Sequence, residues 1–191
     1  MGTRGFVGFV VDGNEKIAYN HFDSYPGGLG TDVLGWLRKT HLGGARRLAG
    51  ELRVVGENDE PTEEDVERLA GYTNRNVGGP SERPTWYQLL RETQGNPAAM
   101  LDAGVIEDAS NFPADSLFAE WGYVVDFDAN VFEVYRGFQQ APHVGGRFSD
   151  RKSGDRDTGY YPVRLVISWP LSDLPDEATF LAVVDPDEDE S

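Results

Sequence analysis

The stretch Arg4-Gly-Phe-Val-Gly-Phe-Val-Val-Asp-Gly-Asn-Glu-Lys-Ile-Ala-Tyr-Asn-His-Phe-Asp23 decides the fold. After Arg4 every residue to Val11 is apolar or glycine, and the run from Lys16 to Asp23 is extended in character. Between them Asp12-Gly13-Asn14 tolerates a left-handed backbone, the strongest short-range signal for a β-hairpin. A connection from Asp12 to Glu15 is too short for a crossover, so the two runs should pair antiparallel. Ser24-Tyr25-Pro26-Gly27-Gly28 ends the second run, because proline lacks the ladder donor and paired glycines favour a turn.

Beyond the hairpin the apolar spacing turns helical. Thr31 can cap a helix carrying Val33, Leu34, Trp36 and Leu37, and Ala45 to Val55 reads as a second helix with Leu48, Leu52 and Val55 on one face. Seven acids and no base lie between Glu57 and Glu67, yet Thr62 with Asp65 resembles a helix start, which makes most of these acids a solvated face. Asn74 to Pro84 is a polar loop, Trp86 to Gln94 a short helix stopped by Gly95, and Asn96-Pro97 opens another that Gly104 closes. From Leu117 the pattern returns to strands: Ala119–Phe127 and Val131–Phe138 form a second hairpin, and Tyr160–Trp169 is a fifth strand. Gln139 to Gly159 is charged and glycine-containing, and is expected to be mobile. Strands at both ends with helices between imply a single α+β domain over residues 1–184, with a helical insertion at about 57–104 and a largely antiparallel sheet. A final helix at Pro175–Val184 precedes a disordered acidic tail, 185–191.

The chain has 191 residues, with 33 acidic against 17 basic side chains and no cysteine. A formal charge of −16 repels phosphate backbones and anionic lipid, which argues against direct nucleic-acid or membrane binding. Lack of cysteine excludes disulfides, thiolate metal sites and a cysteine nucleophile. Met1-Gly2-Thr3-Arg4 lacks the apolar core of a signal peptide, and no apolar run approaches the roughly 20 residues that span a bilayer. The cytoplasm is the expected location, or the virion if the chain is phage-encoded.

Asp126, Asp128 and Asn130 imitate the start of a calcium loop, but Val131 stands where its glycine must be and Gly137 where its glutamate must be, so they read as a turn. His21, His41 and His143 fall at no metal-ligand spacing, and neither a metal nor a cofactor is assigned. The densest polar cluster is Tyr19-Asn20-His21-Phe22-Asp23-Ser24-Tyr25-Pro26. Strand alternation would put Tyr19, His21 and Asp23 on one face, an array fit for acid-base work if it opens on a pocket and a polar corner if it does not. Arg4, Glu120 and Trp121 fall in the neighbouring strands and could complete either arrangement, with Tyr25 beside them.

Met1-Gly-Thr-Arg-Gly5, Tyr19-Asn-His-Phe-Asp-Ser-Tyr-Pro26, Leu29-Gly30, Leu117-Phe-Ala-Glu-Trp-Gly-Tyr123 and Phe132-Glu-Val-Tyr-Arg-Gly-Phe138 resemble a widespread uncharacterised family of small bacterial, phage and fungal proteins. More distantly, the arrangement resembles the αββα sandwich of N-terminal-nucleophile hydrolases, which cleave amides with the first residue's side chain and its own amine. That likeness implies Thr3 as nucleophile, Asn20 as oxyanion donor and Arg4 as a clamp on a substrate carboxylate, with His21 and Asp23 in the acid-base array. It also requires two cuts, because removal of Met1 exposes Gly2. Two classes of function follow: an amide hydrolase or small-molecule binder built on this segment, with Arg4, Tyr25, Glu120 and Trp121 holding the small molecule, or a noncatalytic protein whose acidic surface meets a basic protein partner.

Overall fold

The computed structural model describes residues 2–152 and 158–186 and shows an α+β fold. Seven strands form: β1 (Gly5–Val11), β2 (Asn14–Asn20), β3 (Arg53–Val55), β4 (Val105–Glu107), β5 (Trp121–Asp126), β6 (Val131–Arg136) and β7 (Arg164–Pro170). The large sheet has the order β2-β1-β5-β6-β7, antiparallel except where β1 runs parallel to β5. Among the described residues that parallel step is the ladder that joins the two hairpins, and the helical middle is the crossover that makes it possible. Asp12 and Gly13 both take positive φ in the first turn, as a two-residue hairpin demands.

Period-two alternation divides the interior. From β1, Val7, Phe9 and Val11 enter one core while Phe6 and Val10 enter the other. The first core is roofed by α1 (Thr31–Leu37), α2 (Leu42–Glu51), α5 (Pro97–Ala103) and α6 (Glu177–Val184), which contribute Val33, Ala49, Met100 and Phe180. The second core is closed by Ala119, Phe148 and Val163 from connecting segments. β1 and β5 approach closely because Gly122 lies opposite Phe6; a Cβ there would come within 2.0 Å of the Phe6 ring. In the αββα arrangement a second full sheet would stack on the first; among the described residues the other ladder is the short parallel pair β3–β4.

One cation closes the second face. Glu15 on β2, Asp126 on β5 and Glu133 on β6 all lie there, and the Arg147 guanidinium reaches them at 3.5, 2.5 and 2.8 Å. Tyr135 donates to Glu133 at 2.8 Å, and Arg151 pairs with Glu15 and donates to the Ser110 carbonyl. The Phe148 ring between these arginines is fully buried, worth about 2 kcal/mol in apolar area alone. Within the segment 139–159, expected to be mobile, charge pairing and one aromatic anchor tie the stretch Arg147–Arg151 to the sheet; residues 153–157 lie outside the described residues.

Other boundaries move for local reasons. The second strand ends at Asn20, not Asp23, because the Asn20 amide donates to the Phe22 carbonyl and to Ser24 Oγ, and Asp23 takes a φ of +52°. Thr31 is the first residue of α1 and not its cap; its hydroxyl donates back to the Gly27 and Gly28 carbonyls. The second helix runs from Leu42 to Glu51, with His41 Nδ1 as its cap, and the β-branched Val54 and Val55 that had been read as its end belong to β3. The helix α3 (Glu63–Arg68) has the expected reciprocal cap between Thr62 and Asp65. The Trp86–Gln94 helix breaks into α4 (Trp86–Leu89) and a separate turn at Arg91–Thr93. The turn reading of Asp126 holds, its carboxylate accepting from the amides of Asp128 and Ala129. Of the acidic tail, residues 187–191 lie outside the described residues. Among the described residues no helix is long and apolar enough to cross a membrane.

Removing the central cation leaves three carboxylates facing one another, so Arg147→Met should lower the free energy of unfolding by about 3 kcal/mol. Urea titration measures this, and a loss below about 1 kcal/mol would show that the carboxylates are hydrated without the arginine.

Candidate functional site

A cleft of about 1230 Å³ opens between the outer edge of β2 and the helical excursion. Its position follows from the β3–β4 ladder, in which Arg53 pairs with Val105 and Val55 with Glu107. After β4 the chain crosses from one sheet to the other: Asp108 N donates to the Val55 carbonyl and Ala109 N to Ile17 on β2. The residues following both parallel strands, Glu57–Pro61 and Glu107–Asn111, thereby line the cleft at the strands' carboxyl ends. The ladder is braced by Asp65, which accepts from Arg53 and Thr62, while the Arg53 guanidinium lies 5.1 Å from the Trp86 ring. Burial pushes the Asp65 carboxyl up, but the hydrogen bonds from Thr62 and Arg53 together outweigh it and leave it below its ordinary value.

The walls are aromatic. Tyr19 on β2 lies edge-on to Phe112 with ring centres 5.1 Å apart, and Trp86, Tyr87 and Phe118 complete the lining. Arg4 enters beside them, its guanidinium 4.7 Å above the Phe118 ring. One contact out from the lining stand two more polar groups. His21 Nδ1 is 2.7 Å from the Tyr19 hydroxyl, and the Arg91 guanidinium lies between Phe22 and Tyr87, 5.1 and 5.8 Å from their ring centres. Burial lowers the His21 pKa, and the charges of Arg91 and Arg4 lower it further. The Tyr19 phenol is raised by burial and by Tyr87, against the opposing pull of both arginines, so at neutral pH it carries its proton.

At the other side the sign reverses. The Glu107 carboxyl is raised by burial and by the charge of Glu57, and neither carboxylate bonds to a cation among the described residues. The cleft therefore presents cationic groups near β2 and, at the end of β4, a carboxyl whose pKa is raised. Among the described residues no three His, Asp or Glu side chains are grouped as metal ligands would be.

The structure separates the residues singled out in the sequence. Arg4 and His21 come together around Tyr19 as one cluster. Asn20 and Glu120 are tied to the backbone: both known Asn20 donations go to the 21–24 corner, and Glu120 Oε1 accepts from the Arg4 amide at 3.1 Å. Thr3 precedes β1 with its carbonyl bonded to Ser24 N, and Gly2 before it lies against the Phe22 ring. Asp23 and Tyr25 are exposed around the Pro26 turn and do not line the cleft. Trp121 is buried in the helix-roofed core, on the sheet face opposite Tyr19, with Arg136 5.3 Å from its ring. The strand alternation that was to align Asp23 with His21 ends at Asn20. Tyr87, Arg91, Glu57 and Glu107 were missed, since only the parallel ladder and the crossover bring them near Tyr19.

No protein-family model, no curated protein and no solved structure matches the chain.

His21 should titrate below the ordinary imidazole value of 6.5, and Arg91→Gln should move it upward. Since folding disfavours the imidazolium, its contribution to stability is complete above pH 6.5 and declines as pH falls through the lowered pKa. An NMR titration of the His21 ring protons reads both effects; a wild-type value at or above 6.5 would contradict the placement of the two arginines.

Proposed function

We propose that the chain is a cytoplasmic small-molecule-binding protein whose ligand lies in the cleft between β2 and the helical excursion, with Arg4 beside the ligand. The observation that carries this reading is the lining itself: a concavity of about 1230 Å³ with five aromatic side chains, Tyr19, Trp86, Tyr87, Phe112 and Phe118, together with Arg4, Arg83 and the acids of the Glu57–Glu60 and Glu107–Asp108 segments and Asp115. Apolar walls supply the driving force for binding, and sparse polar groups fix orientation. The geometry favours binding over amide hydrolysis through Thr3. That mechanism needs a free amine on Thr3, whereas Gly2 precedes it and packs on Phe22, and the Asn20 amide meant for an oxyanion already bonds Phe22 and Ser24. The acidic surface supports a basic protein partner less well, because its longer acidic run, Glu57–Glu67, includes Asp65, which is already paired with Arg53 inside the fold.

A thermal-shift screen of small organic compounds tests the reading. A ligand at about a hundred times its Kd should stabilise by about 2.7 kcal/mol, a rise of roughly 5–10 °C for a chain of this size. The rise should vanish in Tyr87→Ala and persist in Thr3→Ala. Equal shifts in the Tyr87 variant would place the ligand elsewhere, and a purified chain whose intact mass begins at Thr3 would return the hydrolase reading to first place.

A further inference from the structure

We infer that Arg4, His21 and Arg91 form an anion subsite at the β2 side of the cleft, so that the ligand is an aromatic ring bearing a carboxylate or a phosphate. The inference rests on the cleft reading and names the chemical class that would occupy it.

The first observation is where the carboxylates are not. The chain carries 33 acids against 17 bases; Arg147 meets three carboxylates, and the half-exposed Arg53 meets Asp65. Around His21 the pairing differs. Among the described residues the Arg4 guanidinium and the His21 ring bond to no carboxylate, and Arg91 reaches only the Gln94 side-chain oxygen. Glu120, on the neighbouring side of the sheet join, accepts from the backbone amide of Arg4 at 3.1 Å, and no ion pair joins it to the guanidinium among the described residues. In a chain of net charge −16, burial first and then the charges of both guanidiniums, Arg91 and Arg4, lower the pKa of this one imidazole.

The second observation is how the two guanidiniums are held. The Arg4 guanidinium lies 4.7 Å from the Phe118 ring centre, and that of Arg91 lies 5.1 and 5.8 Å from those of Phe22 and Tyr87. Contact with an aromatic ring engages the cation without an oxygen acceptor, so N–H donors remain for carboxylate or phosphate oxygens. Arg91 uses one edge nitrogen on Gln94, and Arg4 has no side-chain donation among the described residues. The third observation is the neighbouring surface. Tyr19 and Tyr87 touch both the cationic cluster and the cleft, so an anion seated by the arginines would place a ring attached to it against aromatic walls. His21, neutral at pH 7 and with Nδ1 bonded to Tyr19, adds a ring-nitrogen contact and gains a proton more readily once an anion offsets the arginines.

Calorimetric titration of the purified chain with phenyl phosphate, benzoate, inorganic phosphate and benzyl alcohol tests the subsite. Phenyl phosphate or benzoate should bind at least tenfold more tightly than benzyl alcohol, and the tighter of the two identifies phosphate or carboxylate as the anion. Arg4→Gln and Arg91→Gln should each weaken the anion roughly tenfold while leaving benzyl alcohol affinity unchanged, and Arg91→Lys, which keeps the charge and loses the planar fork, should retain part of the affinity. Anion binding should also raise the His21 pKa. Benzyl alcohol binding as tightly as the anions, or anion binding that survives both glutamine variants, would overturn the subsite while leaving the cleft reading intact. Inorganic phosphate binding as tightly as phenyl phosphate would overturn the ring requirement. If no probe binds and screening ligands act equally on Tyr87→Ala, the cleft reading itself falls.

Discussion

Arg147 gathers the carboxylates of Glu15, Asp126 and Glu133 from three strands onto one guanidinium, and the rest of the fold depends on that convergence. Three carboxylates on one sheet face would repel one another and demand water; with the cation among them the face can close. Closure brings down Phe148 and Arg151, and Arg151 then holds the Ser110 carbonyl as well as Glu15. Ser110 follows the residue that bonds β2, so the same clamp that shuts the second core also secures the crossing from β4 to the sheet edge. The cleft is built on that crossing. Its aromatic wall at Phe112 and its acidic wall at Glu107 lie on either side of the anchored backbone.

The two ends of the cleft are electrically unlike, and both depart from the pattern that Arg147 sets. Among the described residues, the Arg4 and Arg91 guanidiniums near β2 bond to no carboxylate, and Glu107 and Glu57 near β4 bond to no cation. Salt-bridge formation between these ends would have satisfied both, yet the architecture keeps them on separate walls: Arg4 at the entrance to β1, Glu107 at the exit from β4. Like charges left unneutralised raise the energy of the empty state, and a ligand of complementary charge recovers that energy on binding. The depressed imidazole and the raised carboxyl are the titration signatures of that arrangement.

What the sequence made legible was whatever local chemistry decides. The Asp12-Gly13 turn, the Thr62–Asp65 cap, the Asn96 cap with Gly104 at φ +66° and the second hairpin all follow from residues within a few positions of one another. Arg4 and His21 were within reach too, because β1 and β2 are neighbours. What escaped needed contacts across the whole chain. Val54 and Val55 pair with a strand fifty residues away, so their β-branched side chains were absorbed into a helical pattern. Arg147 looked like one charge in a loop, since its three partners are over a dozen to more than a hundred positions distant. Asp23 was assigned by extending strand alternation beyond the point where Asn20 turns its side chain onto the backbone.

The central claim is that Arg4 and Arg91 jointly receive the anionic end of a ligand. Its most direct measurement is NMR of the arginine side-chain Nε–Hε resonances during titration with phenyl phosphate. The account predicts saturable shifts at Arg4 and Arg91 together with the His21 ring, with Arg38 and Arg164 unmoved. Shifts spread evenly over the exposed arginines, or saturation that leaves Arg4 and Arg91 in place, would contradict it.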